Sequence, residues 1–235
     1  MLDQAVILVP PEPTPEALDE RSLGQRAYEA IFQAIQNGRL PPGSRVREAD
    51  LTAWLGMSRT PLRAGLQRLQ TEGLLRLESH RGVLISRLDR RQITELYTAR
   101  EWAEGAAAAL AAQSATAAEI DGLRHLLALE RAAAGDPEEG ARLNRLVHEA
   151  IRDSTGNQYL IDHLRALSAL LGLVGNATRR DAVRVQEAGR EHEALVDAIA
   201  ARDAGGAEAQ ARAHIRNAQL LVLSNHAMQQ DGRIS

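Results

Sequence analysis

Leu55-Gly56-Met57-Ser58-Arg59-Thr60-Pro61-Leu62-Arg63, continued by Ala64-Gly65-Leu66-Gln67-Arg68-Leu69-Gln70-Thr71-Glu72-Gly73-Leu74, reads as the turn and second helix of a helix-turn-helix. Gly56 permits a tight bend, and Ser58 is placed to cap the helix by accepting a backbone N–H bond. Leu62, Leu66, Leu69 and Leu74 fall on one apolar stripe at roughly helical spacing. Arg59, Arg63 and Arg68 are left on other faces, where guanidinium groups can meet phosphates or base edges. The chain has 235 residues, far more than such a module needs, so two domains are expected.

Working outward completes the first of them. Leu75-Arg76-Leu77-Glu78 and Val83-Leu84-Ile85-Ser86 alternate apolar and polar residues around Ser79-His80-Arg81-Gly82, which reads as a short β-hairpin, or wing. Upstream, Arg47 to Trp54 reads as a short helix with Leu51, Ala53 and Leu55 supplying its apolar side. Leu23, Ala27 and Ile31, with Ala30 and Ile35, mark an amphipathic helix from Leu23 to Gln36 that Gly38 and Pro41-Pro42-Gly43 end. Residues 21–88 are therefore expected to fold as a winged helix-turn-helix. Residues 1–20 hold Pro10, Pro11, Pro13 and Pro15 among acids, and are expected to be a disordered acidic arm that does not contact DNA.

From Asp89 onward the helical period takes over. Asp89 with Gln92, and Thr116 with Glu119, have capping-box spacing. Asp136-Pro137-Glu138-Glu139 puts a cap, a first-turn proline and acids where a helix start wants them. Gly156-Asn157, Asn176 and Asp203 mark further breaks. Six helices are expected, at about 90–114, 117–134, 137–154, 157–176, 180–202 and 204–228, packed as an antiparallel bundle over residues 89–230. The fold class is thus mostly α, with one small β-hairpin.

Charge divides the chain in the same way. Residues 1–20 hold five acids and no base (−5), residues 21–88 hold eleven Arg and five acids (+6), and the remainder holds 17 Arg and 21 acids (−4), which sum to the net −3. The basic block coincides with the helix-turn-helix, as in a DNA-binding domain joined to a sensing domain. All 28 basic residues are Arg, a usage that a GC-rich genome also produces, so Arg richness alone carries no argument. Cysteine is absent, which excludes disulfides and thiolate metal sites. No apolar run approaches the ~20 residues that span a bilayer, and the N-terminus does not pattern as a signal peptide. A soluble, cytoplasmic protein with no membrane partner is expected.

These residues resemble the GntR family of bacterial transcription regulators. Leu40-Pro41-Pro42-Gly43-Ser44 looks like that family's L-x-P-G turn, and Ser58 to Arg63 with Leu69, Glu72, Gly73 and Leu74 looks like its recognition-helix signature. The helical remainder is similar to the FCD subgroup, through Leu96-Tyr97-x-x-Arg100-x-x-Ala103-Glu104, Asn144-x-x-x-His148, Thr155-Gly156-Asn157, Glu191-His192 and His214. The resemblance implies DNA contacts by Ser58, Arg59, Thr60 and Arg63, with the wing tip His80-Arg81-Gly82 in the minor groove. Arginine can clasp guanine O6 and N7, and a wing Arg suits a narrow minor groove. Ala49 stands where some members place a DNA-contacting Arg, which leaves Arg45 or Arg47 for that phosphate. Arg68 reads as a solvated helix face. A palindromic double-stranded operator, and hence a homodimer, follows from the two-fold reading of such sites.

Of seven histidines, His148, His192 and His214 lie on three expected helices, and Asn144 shares a helix face with His148. Taken as residues alone, scattered histidines read as surface or satisfied core groups. The resemblance implies a divalent metal, zinc or nickel, held by Asn144, His148, His192 and His214, with Asn144 standing where an Asp is usual. An amide adds no negative charge, which weakens the ion's hold and leaves its +2 charge intact to favour an anionic ligand. Arg100 is then either a clamp for a small organic-acid effector or the salt-bridge partner of Glu104 or Glu101. His125, His163 and His226 are assigned to surfaces. The expected function is a ligand-responsive regulator, by default a repressor, and not an enzyme. The alternatives are a metal sensor in which the ion is the signal, and a helical metallohydrolase drawing on Glu149 or Glu191. A DNA-binding protein whose helical half serves dimerisation alone is a third rival.

Overall fold

Leu62, Leu66 and Leu69 are wholly buried, and the helix that carries them, α3 (Arg59–Thr71), organises the first part of the molecule. The computed structural model describes residues 20–78, 81–133, 135–174 and 182–231. The acidic arm up to residue 19, His80 and the expected break at Asn176 lie outside these residues. Around α3 stand α1 (Glu20–Gln36), α2 (Glu48–Leu55) and a three-stranded antiparallel sheet of β1 (Arg45–Val46), β2 (Leu75–Glu78) and β3 (Gly82–Ile85), in the order β1-β3-β2. The hairpin β2–β3 is the expected wing, with Leu75 opposite Ile85 and Glu78 opposite Gly82. Strand β1 was not expected: two residues are too short to show a period, and they are placed by pairing with Val83 and Leu84. The stripe Ile31, Ile35, Leu51, Leu62, Leu66, Leu69, Leu74, Leu75, Val83 and Ile85 forms the core of this unit.

Gly56 ends α2 at φ +62°, donating its N–H to the Thr52 carbonyl, which makes the tight bend before α3. The crossing of α3 with α1 depends on another glycine. A methyl on Gly65 would lie 2.7 Å from the Tyr28 nitrogen, 2.9 Å from Ala27 Cβ and 3.0 Å from the Gly24 carbonyl. The expected cap is corrected: Ser58 occupies the N-cap position with extended backbone, but its hydroxyl makes no capping bond.

Helices α4 (Arg90–Ser114), α5 (Ala117–Ala132), α6 (Pro137–Asp153), α7 (Gln158–Ala169), α8 (Ala182–Ala200) and α9 (Ala204–Asp231) form the bundle. The starts are those the sequence signals. Asp89 and Gln92, and Thr116 and Glu119, form complete capping boxes, and Asp136 accepts from the backbone of Glu138 and Glu139. The alanine run on α4 is packing rather than low complexity: Ala107, Ala108, Ala111 and Ala112 are fully buried. Beside it, a methyl on Gly105 would meet Arg212 Cγ of α9 at 2.7 Å, so small residues set the approach of the two longest helices.

The helix expected over 157–176 stops at Ala169 and tightens into a 3₁₀ turn, Leu170–Leu173. Two compact units result. The described parts of Met1–Leu88 with Ala169–Asn176 form the winged unit, and those of Asp89–Ser168 with Ala177–Ser235 form the helical one. Residues 169–174 thus return to the first unit, where the buried Leu173 joins its core, although the sequence reading gives 89–230 as one domain.

Two glycines test this packing in opposite directions. Gly65→Ala should cost about 1–3 kcal/mol, because the methyl is forced against α1 backbone, while Gly122→Ala, exposed within α5 with nothing near its Cβ position, should stabilise by up to about 1 kcal/mol through helix propensity. Urea midpoints of the two variants check both signs.

Candidate nucleic-acid interface and candidate metal centre

The exposed end of α3 presents Ser58, Arg59 and Thr60 to solvent, with Arg63 one turn on. The Ser58 hydroxyl is not spent on a cap, and the first N–H groups of a helix attract anions. Arg63 donates from Nε to Glu48 Oε2 at 3.0 Å. Arg47 forks onto Asp50 at 2.8 and 2.9 Å, and this hydrogen bonding holds the Asp50 carboxyl below its usual range. Arg45 pairs with Glu78. Among the described residues no acid pairs with Arg59 or Arg81. The candidates are neighbours. Glu48, which holds Arg63, follows Arg47, and a Cβ on Gly82 would lie 3.3 Å from Arg47 Cα. Gly82 has a role of its own at φ +81°: any side chain would stand 2.6 Å from the Val46 carbonyl, so glycine lets the wing close onto β1. His80 lies outside the described residues.

Arg68 lies on an exposed helix face, as expected, but its guanidinium is engaged within the unit. Its guanidinium sits 3.7 Å over the Tyr28 ring and donates to Gln25 and Glu72, while Tyr28 donates to Glu72 at 2.8 Å. Burial, with Glu72 beside it, pushes the Tyr28 hydroxyl up to about 12. This group fastens α3 to α1.

In the helical unit, α6, α8 and α9 bring His148, His192 and His214 together, with one ligand atom of each within 4.8 Å of the others. Asn144 joins them, its Nδ2 lying 3.4 Å from His192 Nε2. His192 and His214 are buried and His148 nearly so, whereas His125 and His163 are exposed and His226 is half-buried. Each ring is held from behind by a carboxylate. His148 Nδ1 lies 3.3 Å from Glu104, His192 Nδ1 2.9 Å from Glu130, and His214 Nδ1 2.7 Å from Glu191. Two of these acids are in turn held by buried arginines: Arg100 donates to Glu104 at 3.0 Å, and Arg184 donates to Glu191 at 2.6 Å. Asn217 gives Glu191 a further bond at 2.7 Å.

The proton count follows. A carboxylate facing each Nδ1 places the ring proton there, which leaves a lone pair on each Nε2. His148 Nε2 and His214 Nε2 then face each other at 3.2 Å with no proton of their own to share. Carboxylates behind the rings and lone pairs in front are the donor arrangement of a divalent cation site. Burial disfavours the imidazolium form, pushing His214 down to about 3 and His192 down as well, in both cases against the pull of their glutamates. Burial would raise Glu191, but bonds from His214, Arg184 and Asn217 outweigh it and bring it to about 2. Burial would likewise raise Glu104, yet His148 and Arg100 hold it well below the usual carboxylate range.

Arg100 therefore makes the salt bridge with Glu104 that was one of its two expected roles, while its buried Nε finds no hydrogen-bond partner among the described residues. Glu101 is taken instead by Arg212 and Arg216. Glu130 and Arg184 escaped the sequence reading. Glu130 meets a histidine 62 residues away and carries no local signal. Arg184 lies seven residues before Glu191, two turns along one helix face, which is a signal that could have been used.

Comparison with known proteins gives the same division. Residues 23–85 match the family described as bacterial regulatory proteins, gntR family, and residues 95–217 match the FCD domain. The Nta operon transcriptional regulator of Aminobacter aminovorans is 36% identical over 129 residues, 54% of this chain and 61% of that protein. The Escherichia coli transcriptional regulator McbR is 31% identical over 153 residues, 64% of this chain and 69% of that one. The solved structure of E. coli McbR superimposes with a TM-score of 0.79 at 24% identity, covering 87% of this chain and 98% of that one.

Acid should unfold the metal-free protein early. Because burial lowers the folded-state values of His192 and His214, the unfolded chain takes up protons first, and stability falls as pH drops below about 6.5. The slope should approach 1.4 kcal/mol per pH unit for each histidine, to order of magnitude. Urea midpoints in chelator at pH 7.5 and 5.5 measure it, and an unchanged midpoint contradicts it.

Proposed function

The chain belongs to the GntR family of bacterial regulatory proteins and carries an FCD domain, and from that premise we propose that it is a repressor whose helical unit binds a divalent metal and, on it, a small organic-acid effector. That it is a DNA-binding transcription regulator and not an enzyme follows from the family. The observation that carries the finer reading is the set of three imidazoles with a ligand atom of each within 4.8 Å of the others, and with a carboxylate on the Nδ1 of each ring. His148, His192 and His214 would hold the ion, with the Asn144 amide oxygen as fourth donor once the amide turns. A zinc or nickel ion there supplies a positive charge with an open position for an anion. Arg100 and Arg184 keep Glu104 and Glu191 ionised, and through them the ring orientations of His148 and His214.

Among the described residues, the acids beside the cluster leave the metallohydrolase alternative no free general base. Glu104, Glu130 and Glu191 are each committed to an imidazole, and Glu149 is exposed. At the DNA, Arg59 and Arg81 are the arginines ready to act, and Arg63 is drawn from Glu48 to a base edge. A homodimer reading a palindrome, located in the cytoplasm, completes the proposal. No helix of the described residues is long and apolar enough to cross a membrane.

Elemental mass spectrometry should find one divalent ion per chain in untagged protein and almost none in His148→Ala. A wild-type chain that takes up no zinc or nickel on reconstitution contradicts the metal reading. The metal-loaded chain should then change its DNA affinity with organic acids. A response to the ion alone selects the metal-sensor alternative, and a response to neither leaves dimerisation as the helical unit's role. For DNA selected from a random duplex pool, Arg59→Ala should lose about 1–3 kcal/mol of affinity, as for the loss of one bidentate base contact. Fluorescence anisotropy at two salt concentrations separates this from loss of a phosphate contact, which lowers the salt slope by about 1.

A further inference from the structure

The winged unit holds more positive charge than its own acids can meet. Residues 21–88 carry eleven Arg against Glu29, Glu48, Asp50, Glu72 and Glu78. Four of those acids are already taken: Glu48 by Arg63, Asp50 by Arg47, Glu72 by Arg68 and Glu78 by Arg45. The fifth, Glu29, accepts from Gln25 at 2.7 Å. Arg59 and Arg81 stay exposed with no acid paired to them among the described residues, and the first turn of α3 carries no acid. Immediately before α1 the sequence is the reverse: residues 1–19 hold Asp3, Glu12, Glu16 and Asp19 and no Lys, Arg or His.

Where that acidic stretch joins the unit is fixed by how α1 lies on α3. A Cβ on Gly24 would stand 3.3 Å from Ala64 Cβ and 3.7 Å from the Pro61 carbonyl, and one on Gly65 would stand 2.7 Å from the Tyr28 nitrogen. Further along both helices, Tyr28 donates to Glu72. The two helices therefore run in the same sense, with their N-terminal ends at the same end of the unit. Helix α1 begins at Glu20, one turn before Gly24, so the chain enters it about level with the first turn of α3 and Arg59. Nineteen residues reach on the order of 60 Å when extended, and the 13 residues of α3 span about 20 Å. A segment tethered so close acts at an effective concentration on the order of millimolar, which sustains charge contacts too weak to hold separate molecules together.

We propose that the face carrying Arg59 and Arg81 is a docking surface for the chain's own residues 1–19, which compete there with the DNA backbone. The proposal rests on reading the start of α3 as the DNA-facing surface. Docked carboxylates stand in for phosphates, and a duplex must displace them, which weakens sequence-independent binding and lessens its dependence on salt. Paramagnetic broadening in the isotope-labelled full-length chain tests it. Because the sequence has no cysteine, Gln4→Cys takes a single nitroxide label. The label should broaden the amides of 59–63. The broadening should vanish when the arm is neutralised (Asp3→Asn, Glu12→Gln, Glu16→Gln and Asp19→Asn) and when a mixed-sequence duplex saturates the chain. The neutralised chain should also bind that duplex severalfold more tightly at low salt, with a steeper salt slope. Tighter binding by the neutralised chain without broadening in the labelled parent means repulsion at a distance and overturns docking. Unchanged duplex affinity on neutralisation, or broadening that survives saturation, overturns the competition. Arg59→Ala made in the neutralised chain separates the two readings. Reduced duplex affinity there upholds the DNA-facing surface whatever the arm does, whereas unchanged affinity and salt slope overturn that surface and the proposal together.

Discussion

Keeping three imidazoles neutral and correctly turned inside a helical bundle is the constraint to which the rest of the helical unit answers. A buried imidazolium is costly, and a buried neutral ring with an unplaced proton has no fixed orientation. Glu104, Glu130 and Glu191 resolve the second difficulty by accepting hydrogen bonds from the Nδ1–H groups, and the negative charge that Glu104 and Glu191 bring inside is balanced by Arg100 and Arg184. Of the eight buried polar or charged residues among those described, five are Arg100, Glu104, Arg184, His192 and His214. The polar interior is therefore largely one connected network, and removing any member leaves a buried charge or donor unmatched.

The winged unit solves its packing by the opposite means, through residues with nothing to add. Gly65 lets α3 lie on α1 backbone, and Gly82 lets the wing lie on β1. With those approaches fixed, the arginines of the surface proposed to face DNA need little structure of their own. Arg63 and Arg47 rest on Glu48 and Asp50 as exposed, solvent-screened pairs, so on the proposed reading exchanging an acid for a phosphate or a base edge costs little. Arg68 shows the contrast: stacked on Tyr28 and bonded to Glu72, it is structural and unsuited to release.

What could be read in the sequence was what depends on neighbours a few residues apart. The leucine stripe of α3, the capping boxes at Asp89 and Thr116 and the Asn144–His148 pair all repeat at helical spacing, and each element stands within a few residues of where those signals put it. Strand β1 and the 3₁₀ turn carry no period because two and four residues cannot show one, and both exist through pairing with distant segments. His192 and His214 entered the candidate set through family resemblance, since nothing local separates them from the exposed His125 and His163. Glu130 and Arg184 were missed because their roles exist only after three helices have converged. Ser58 was misjudged because a good capping residue need not cap where its hydroxyl faces solvent.

The charge sum of the network gives Asn144 its meaning on the proposed reading. Glu104, Glu130 and Glu191 contribute −3 and Arg100 and Arg184 +2, so the set stands at −1 with three neutral imidazoles. A divalent ion takes it to +1. An aspartate at 144 would return the sum to zero and leave the ion with no electrostatic demand for a ligand. With Asn144 one positive charge remains in a buried place, where an unmatched charge is most costly and a matching anion most strongly favoured. The same substitution that loosens the ion thus sharpens the preference for an acid to bind beside it, and affinity for the metal and affinity for the effector become linked quantities, each raising the other.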